Sequence, residues 1–271
     1  MSQQTPEKTG GLAYYVRDIL DHYNFWMSLA SLSLSRKFRL TQLGILWTMI
    51  QPLFFALTIS VVFRYIFNQP FVDLSIYVLS GIIFWELFSQ TVLGGAASII
   101  ESSHFIKQKR LPLAIYPLQC FLAHVATYFI AFLGLILWIL ALKPSLIGPL
   151  WLMAVPNVAL ILVCLFPVAI WASVFGTIFR DFIEAARVIL TALWFLSPVF
   201  IDKTVFANPG IAVWDSANPV SNMLALVRDP MIYGQMPTLE NYGVVILFGI
   251  VNYVIAVYAL HRHERTLVYY L

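Results

Sequence analysis

Apolar runs dominate the chain from Leu43 onward, and the polar residues between them fall in short clusters. A helix needs about 20 apolar residues to cross the hydrocarbon of a bilayer. Runs of that order lie near residues 45–67, 76–100, 113–142, 150–178, 182–199 and 242–260, which predicts six transmembrane helices. Ahead of them, Leu12, Tyr15, Val16, Ile19, Leu20 and Tyr23 recur at helical spacing on one face, while Arg17, Asp18, Asp21 and His22 take the other. That pattern predicts an amphipathic helix over 11–24, lying in the cytoplasmic interface or packed on a partner. The expected fold class is an all-α integral membrane protein. A cytoplasmic N-terminal segment (1–44) precedes a six-span domain (45–260) and a cytoplasmic tail (261–271).

The runs are not uniform. Pro52 falls inside the first and removes one helix hydrogen bond, so a bend is expected there. Pro156 and Pro167 fall inside the fourth, where neighbours must satisfy the freed carbonyls. In the fifth, Glu184 and Arg187 stand near its start, and the uncharged stretch Val188–Phe200 is too short to cross alone. Ser197-Pro198-Val199 then breaks it, and a helix that stops inside a membrane must line a cavity or be buried in protein. The stretch from Phe200 to Tyr242 holds Asn218-Pro219, a brief apolar run Met223–Val227 and Arg228-Asp229-Pro230, none of it long enough to span.

Charge sets the orientation. With the amino terminus inside, one side collects Lys8, Arg17, Arg36, Lys37, Arg39, Lys107, Lys109, Arg110, Arg180, Arg187, Arg262 and Arg265; the other holds Lys143, Lys203 and Arg228. Lys and Arg accumulate on the cytoplasmic side of membrane proteins, so both termini are expected in the cytoplasm. The basic cluster Arg36, Lys37, Arg39 runs straight into the first span, with Trp47 at headgroup depth. Glu101–Pro112 reads as a short cytoplasmic helix stopped near Pro112.

Composition agrees with this pattern. Of 271 residues, 61% are hydrophobic and 11% charged, against about 25% charged in a soluble domain. The net charge of +3 carries no sign of a nucleic-acid partner. The first 24 residues lack the apolar core of a signal peptide, so no cleavage is expected. Cys120 and Cys164 lie in apolar runs and read as packing residues. Nothing reads G-x-x-x-x-G-K-[ST], so ATP hydrolysis by that route needs a separate chain. No nucleophile or metal constellation stands out: His261 and His263 flank Arg262 at a spacing that puts them on different helix faces.

Two ionisable residues lie deep in spans. Glu86 is roughly mid-bilayer in the second at about 1.5 Å per residue, and His124 sits at similar depth in the third. Intramembrane ionisable groups are functional candidates, and equally a neutral Glu hydrogen-bonded to a neighbouring helix serves packing. Aromatics make up 15% of the chain, most of them suited to interfacial belts and lipid contact. Their flat rings also suit the apolar faces of sugars, which makes Trp47, Phe54 and Trp194 candidate pore positions.

The stretch of basic cluster, Phe38-Arg39, Thr41, Leu43-Gly44, Leu46-Trp47 and Gln51-Pro52-Leu53 resembles the entry to the first span in permease subunits of polysaccharide-exporting ABC transporters of the type-2 exporter permease family. Many members have Tyr where this chain has Phe38. Further resemblance lies in Ile106, Lys107 and Leu111-Pro112-Leu113, in the turn Phe179-Arg180-Asp181, and in Ser197-Pro198-Val199, so it spans nearly the whole chain. The resemblance implies a coupling helix at Phe105, Ile106, Lys107 and Arg110 that docks into an ATPase. It implies short re-entrant helices on the outer side between spans five and six, with Ser197, Pro198, Met223 and Val227 as gate candidates. It implies two copies of this chain around one channel lined by spans one and five, two ATPase subunits that bind the ATP and Mg, and no cofactor in this chain. The substrate implied is a lipid-linked polysaccharide (O-antigen, capsule or teichoic acid) crossing the bacterial inner membrane among membrane lipids. The alternative is a membrane-embedded transferase acting on lipid-linked sugars, with Glu86 or His124 as acid or base.

Overall fold

The computed structural model describes residues 17, 19–38, 42–108, 111–201, 209–263 and 266–270. They form helices α1 (Tyr23–Phe38), α2 (Trp47–Phe67), α3 (Phe71–Glu101), α4 (Ser103–Gln108) and α5 (Ile115–Leu142), then α6 (Ala154–Ile178), α7 (Phe182–Phe195), α8 (Pro209–Ala217), α9 (Pro219–Arg228) and α10 (Leu239–His263). A π-helical turn, Asp229–Tyr233, continues α9. The protein is an all-α, multi-span membrane bundle. Among the described residues, five segments are long and apolar enough to cross: Gly44–Ile66, Phe71–Gln108, Ile115–Leu142, Pro149–Ile178 and Leu239–His263.

The fifth expected span differs. Over 182–199 the helix is α7 alone, 14 residues long. At about 1.5 Å per residue it reaches about 21 Å, short of the ~30 Å hydrocarbon core. Turns then carry the chain from Leu196 to Ile201.

α3 is the centre of the bundle, buried along most of its length against α2, α5, α6 and α7. Lipid tails are as apolar as leucine, so helices in a bilayer associate by close packing at small residues. Here a Cβ on Gly95 would lie 2.8 Å from Ala169 Cα of α6, and one on Gly176 of α6 only 2.3 Å from the Ala96 carbonyl of α3. The two backbones therefore touch. α6 meets α10 in the same way, with Gly249 against Cys164, and Trp171 Nε1 donates to Asn252 Oδ1 at 2.8 Å. At the other end Tyr242 OH donates to Asn157 Oδ1, and Asn157 Nδ2 to the Leu226 carbonyl, joining α10, α6 and α9.

The helix expected over 11–24 is described only in part. Residues 11–16 and Asp18 lie outside the described residues. Among the described residues the first full helix is α1, which starts at Tyr23 and runs where the sequence pattern ended. It packs on α5, burying Leu29 and Ala30, and Ser33 Oγ donates to Gln119 Oε1 at 3.0 Å. Pro156 is also placed differently: it stands in the first turn of α6, where an N–H has no helical partner to lose. Pro52 and Pro167 are interior, as the pattern predicts.

A second, smaller core sits at the opposite end from the Phe71 start of α3. Ile99, Ile106, Leu113, Tyr116, Val174, Ala259, Leu29 and Leu267 close it.

Candidate functional site

A cavity of about 850 Å³ opens between α2, α3, α5 and the end of α7. Each helix supplies one face. Trp47, Gln51, Phe54 and Phe55 recur at three- and four-residue spacing on α2; Ile83, Glu86, Leu87 and Gln90 do so on α3, and His124, Thr127, Tyr128 and Ala131 on α5. Residues so spaced share one helix face. Trp194 of α7 closes the fourth side. Its ring stacks on Phe55 with centroids 6.3 Å apart, and on its other flank lies 4.7 Å from that of Phe200.

The polar groups are held in place. Gln90 Nε2 donates to Glu86 Oε1 at 3.0 Å, one helical turn apart. His124 reaches the α3 surface because residue 94 is glycine: a Cβ there would lie 2.3 Å from the imidazole Cε1. Cys120 Sγ stands 3.9 Å from His124 Nδ1. Pro52 lines the same space. The volume lies in the range of small-molecule pockets, about 300–1,000 Å³. The lining combines aromatic faces with amide, carboxyl, imidazole and hydroxyl groups, a mixture that can grip a polyol by ring contact and hydrogen bonds. All three aromatic pore candidates and both intramembrane ionisable residues thus meet around one cavity. Gln51, Gln90, Thr127 and Tyr128 complete it. None of the four is marked as a site residue by the sequence pattern, although Gln51 and Gln90 are amides set in apolar runs.

The remaining candidates sit elsewhere. Ser197 and Pro198 are buried in the turn after α7. A Cβ on Gly81 would lie 2.0 Å from the Val199 carbonyl, so this turn rests directly on α3. Gly81 is about 15 Å in from the Phe71 end at the helical rise. Met223 and Val227 are enclosed by the chain's own core on α9, which packs against α3, α6 and α10. On α4, Ile106 is buried in the smaller core, Phe105 is half-buried at its edge and Lys107 is exposed. Arg110 lies outside the described residues.

The break after α7 is secured by a residue that the sequence pattern assigned to an outer surface. Arg228, at the end of α9, is only 3% exposed. Its Nε donates to Ser80 Oγ at 3.0 Å, its Nη1 to the Pro198 carbonyl at 2.5 Å, and its Nη2 to the Tyr77 and Val199 carbonyls at 2.8 Å each. The guanidinium carbon stands 3.7 Å from the centre of the Tyr77 ring. Tyr77 OH in turn donates to the carbonyls of Pro198 and Ile201, at 3.0 and 2.9 Å.

These features lie in a chain whose likeness to named proteins runs along most of its length. The chain is similar to O-antigen export permeases. Two proteins of Klebsiella pneumoniae, each described as O-antigen export system permease protein RfbA, are 20% identical over 234 residues and 19% identical over 243. The matches cover 84% and 88% of this chain and 88% and 90% of those proteins. A Myxococcus xanthus protein of the same description is 22% identical over 228 residues, covering 83% of this chain and 86% of its own length. No family model matches the chain. With coverage this wide, the likeness belongs to the bundle as a whole and not to a single motif.

Proposed function

We propose that this chain is the channel-forming permease subunit of an ATP-driven exporter that moves a lipid-linked polysaccharide across the bacterial inner membrane. O-antigen is the first candidate, with capsule or teichoic acid next. The observation that carries the reading is the end-to-end similarity to O-antigen export permeases. The cavity supports it, since its lining of aromatic rings, amides and hydroxyls suits sugar. Two copies pair through the faces of α2 and α7 that one chain leaves bare, where Phe54, Tyr65 and Val188 are each more than 70% exposed. The short α7 and its break then lie between protein surfaces and not in lipid, as unpaired backbone requires. Two ATPase subunits bind below, at α4, with Phe105 as the apolar contact and Lys107 beside it. Arg180, Arg187 and Arg262 share that end of the bundle, which faces the cytoplasm. α7 with its following turn supplies the fifth of six crossings, and α8 and α9 fold back as the outer gate beside Ser197 and Pro198, with Met223 and Val227 its buried backing.

The test is removal of the chain from a host that makes surface polysaccharide. Full-length lipid-linked polymer is expected to accumulate on the cytoplasmic side, and surface polymer to return with the wild-type chain. A transferase would leave a different trace: the polymer would lack a sugar or acyl group and would still reach the surface. That outcome would overturn the export reading.

A further inference from the structure

A second pocket, of about 400 Å³, lies at the Phe71 end of the bundle between α8, α9, the π-helical turn and the start of α10. It shares no lining residue with the larger cavity. Its wall is built of polar side chains already fixed by one another. Asn222 Nδ2 donates to the Ser216 and Asn218 carbonyls, Asn241 Nδ2 donates to Asn222 Oδ1, and Thr238 Oγ1 donates to Asn241 Oδ1, all between 2.6 and 2.8 Å. Two oxygens in this wall are left over. Ser221 is 7% exposed, and its Oγ has no hydrogen-bond partner among the described residues. Ser75, Ser98 and Ser173 each donate to the carbonyl three residues back. For Ser221 that carbonyl belongs to Asn218 and is already taken by Asn222 N and Nδ2. Asp215 Oδ1 is likewise buried with no partner. A buried polar group without a partner is costly, and both oxygens belong to residues that line this pocket.

The chemistry of the wall selects the ligand. Arg228 lines the pocket, but its guanidinium is spent on Ser80 and three backbone carbonyls. Asp215, Asp229 and Glu240 line it as well, so among the described lining residues an anion meets carboxylates and no uncommitted cation. These acids do not converge into a metal-holding group among the described residues. The groups on offer are a carboxylate oxygen that accepts, a hydroxyl that does both, and the half-exposed ring of Tyr233 at the side. We propose that this pocket is a binding site for an uncharged sugar unit, whose hydroxyls donate to Asp215 Oδ1 and pair with Ser221 Oγ. That this end of the bundle is the outer face, where an exported glycan emerges, rests on the function proposed above. The pocket chemistry does not.

Saturation-transfer NMR on the full-length chain in lipid nanodiscs, prepared free of glycoside detergents, tests the proposal. Methyl α-D-glucopyranoside, methyl α-D-mannopyranoside and N-acetyl-D-glucosamine serve as probes. At least one is expected to bind, with affinity lowered about tenfold by Ser221→Val and by Asp215→Ala, the effect of losing one hydrogen bond to a buried group. In the unaltered chain, D-glucuronate is expected to bind at least tenfold more weakly than the glucoside. The proposal is overturned by the absence of any signal at tens of millimolar probe. It is also overturned by binding that neither substitution changes, or by glucuronate binding as tight as the glucoside. Sugar binding in a chain whose removal leaves surface polymer intact overturns the export function alone; export without sugar binding overturns the pocket alone.

Discussion

At the scale of single residues, Arg228 shows how much one side chain can hold. Its planar fork reaches four acceptors that belong to α3 and to the turn after α7. Arg228→Met takes a donor from three buried carbonyls; Pro198 keeps Tyr77 OH and Tyr77 keeps Ser80 Oγ, so the Val199 carbonyl bears the main loss, at about 1–3 kcal/mol for one unsatisfied group. A loss of about 1–3 kcal/mol corresponds to about 2–12 °C in the unfolding midpoint of a chain this size. Thermal unfolding of the purified protein, followed by size-exclusion fluorescence, checks this. Arg228→Lys is expected to recover only part of the loss, because a single ammonium lacks the fork geometry; a fully stable Arg228→Lys chain would refute the account. None of this was legible in the sequence. Arg228 stands beside Asp229-Pro230 in a stretch too short to span, which is how an exposed outer loop also reads. Its burial arises from α3 and α9 packing together across 148 positions of sequence, a distance that no local pattern encodes. Glu86 and His124 were legible, because a lone ionisable residue inside an apolar run stands out. That they share a cavity depended on Gly94, whose missing Cβ admits the imidazole.

At the scale of elements, the long helices are where hydropathy alone placed them, because about 20 apolar residues in a row allow little else. The short elements are where it ran out. The break at Ser197-Pro198 was readable from the proline and the brevity of the run, but the groups that satisfy its backbone, Tyr77 and Arg228, come from elsewhere in the chain. α4 is a similar case. Phe105 and Ile106 look alike in sequence, yet Ile106 is buried in the smaller core and Phe105 only borders it. The two substitutions should therefore behave differently. Phe105→Asp is expected to abolish co-purification of the ATPase and stimulated ATP hydrolysis while the permease accumulates normally in the membrane. Ile106→Asp, which buries an unpaired charge, is expected to reduce the amount of permease itself. An ATPase that still co-purifies with Phe105→Asp would move the docking site off α4.

At the scale of the whole molecule, order of synthesis becomes a constraint. α3 and α6 touch backbone to backbone at Gly95 and Gly176, and α4 and α5 are made between them. While α5 is being inserted, the Gly95–Ala96 face of α3 stands bare in the bilayer with no helix to fill it. A nascent chain that ends after Leu142 is thus a bundle with its central helix open on one side, whereas one that ends after Ile178 has that side closed. The shorter piece is expected to be cleared by membrane proteases several-fold faster, as read by pulse–chase half-life, and equal half-lives would refute this. The close fit that makes α3 the rigid centre of the finished protein also makes the half-made protein vulnerable, and it sets a point in translation before which the chain cannot be left unattended by the insertion machinery.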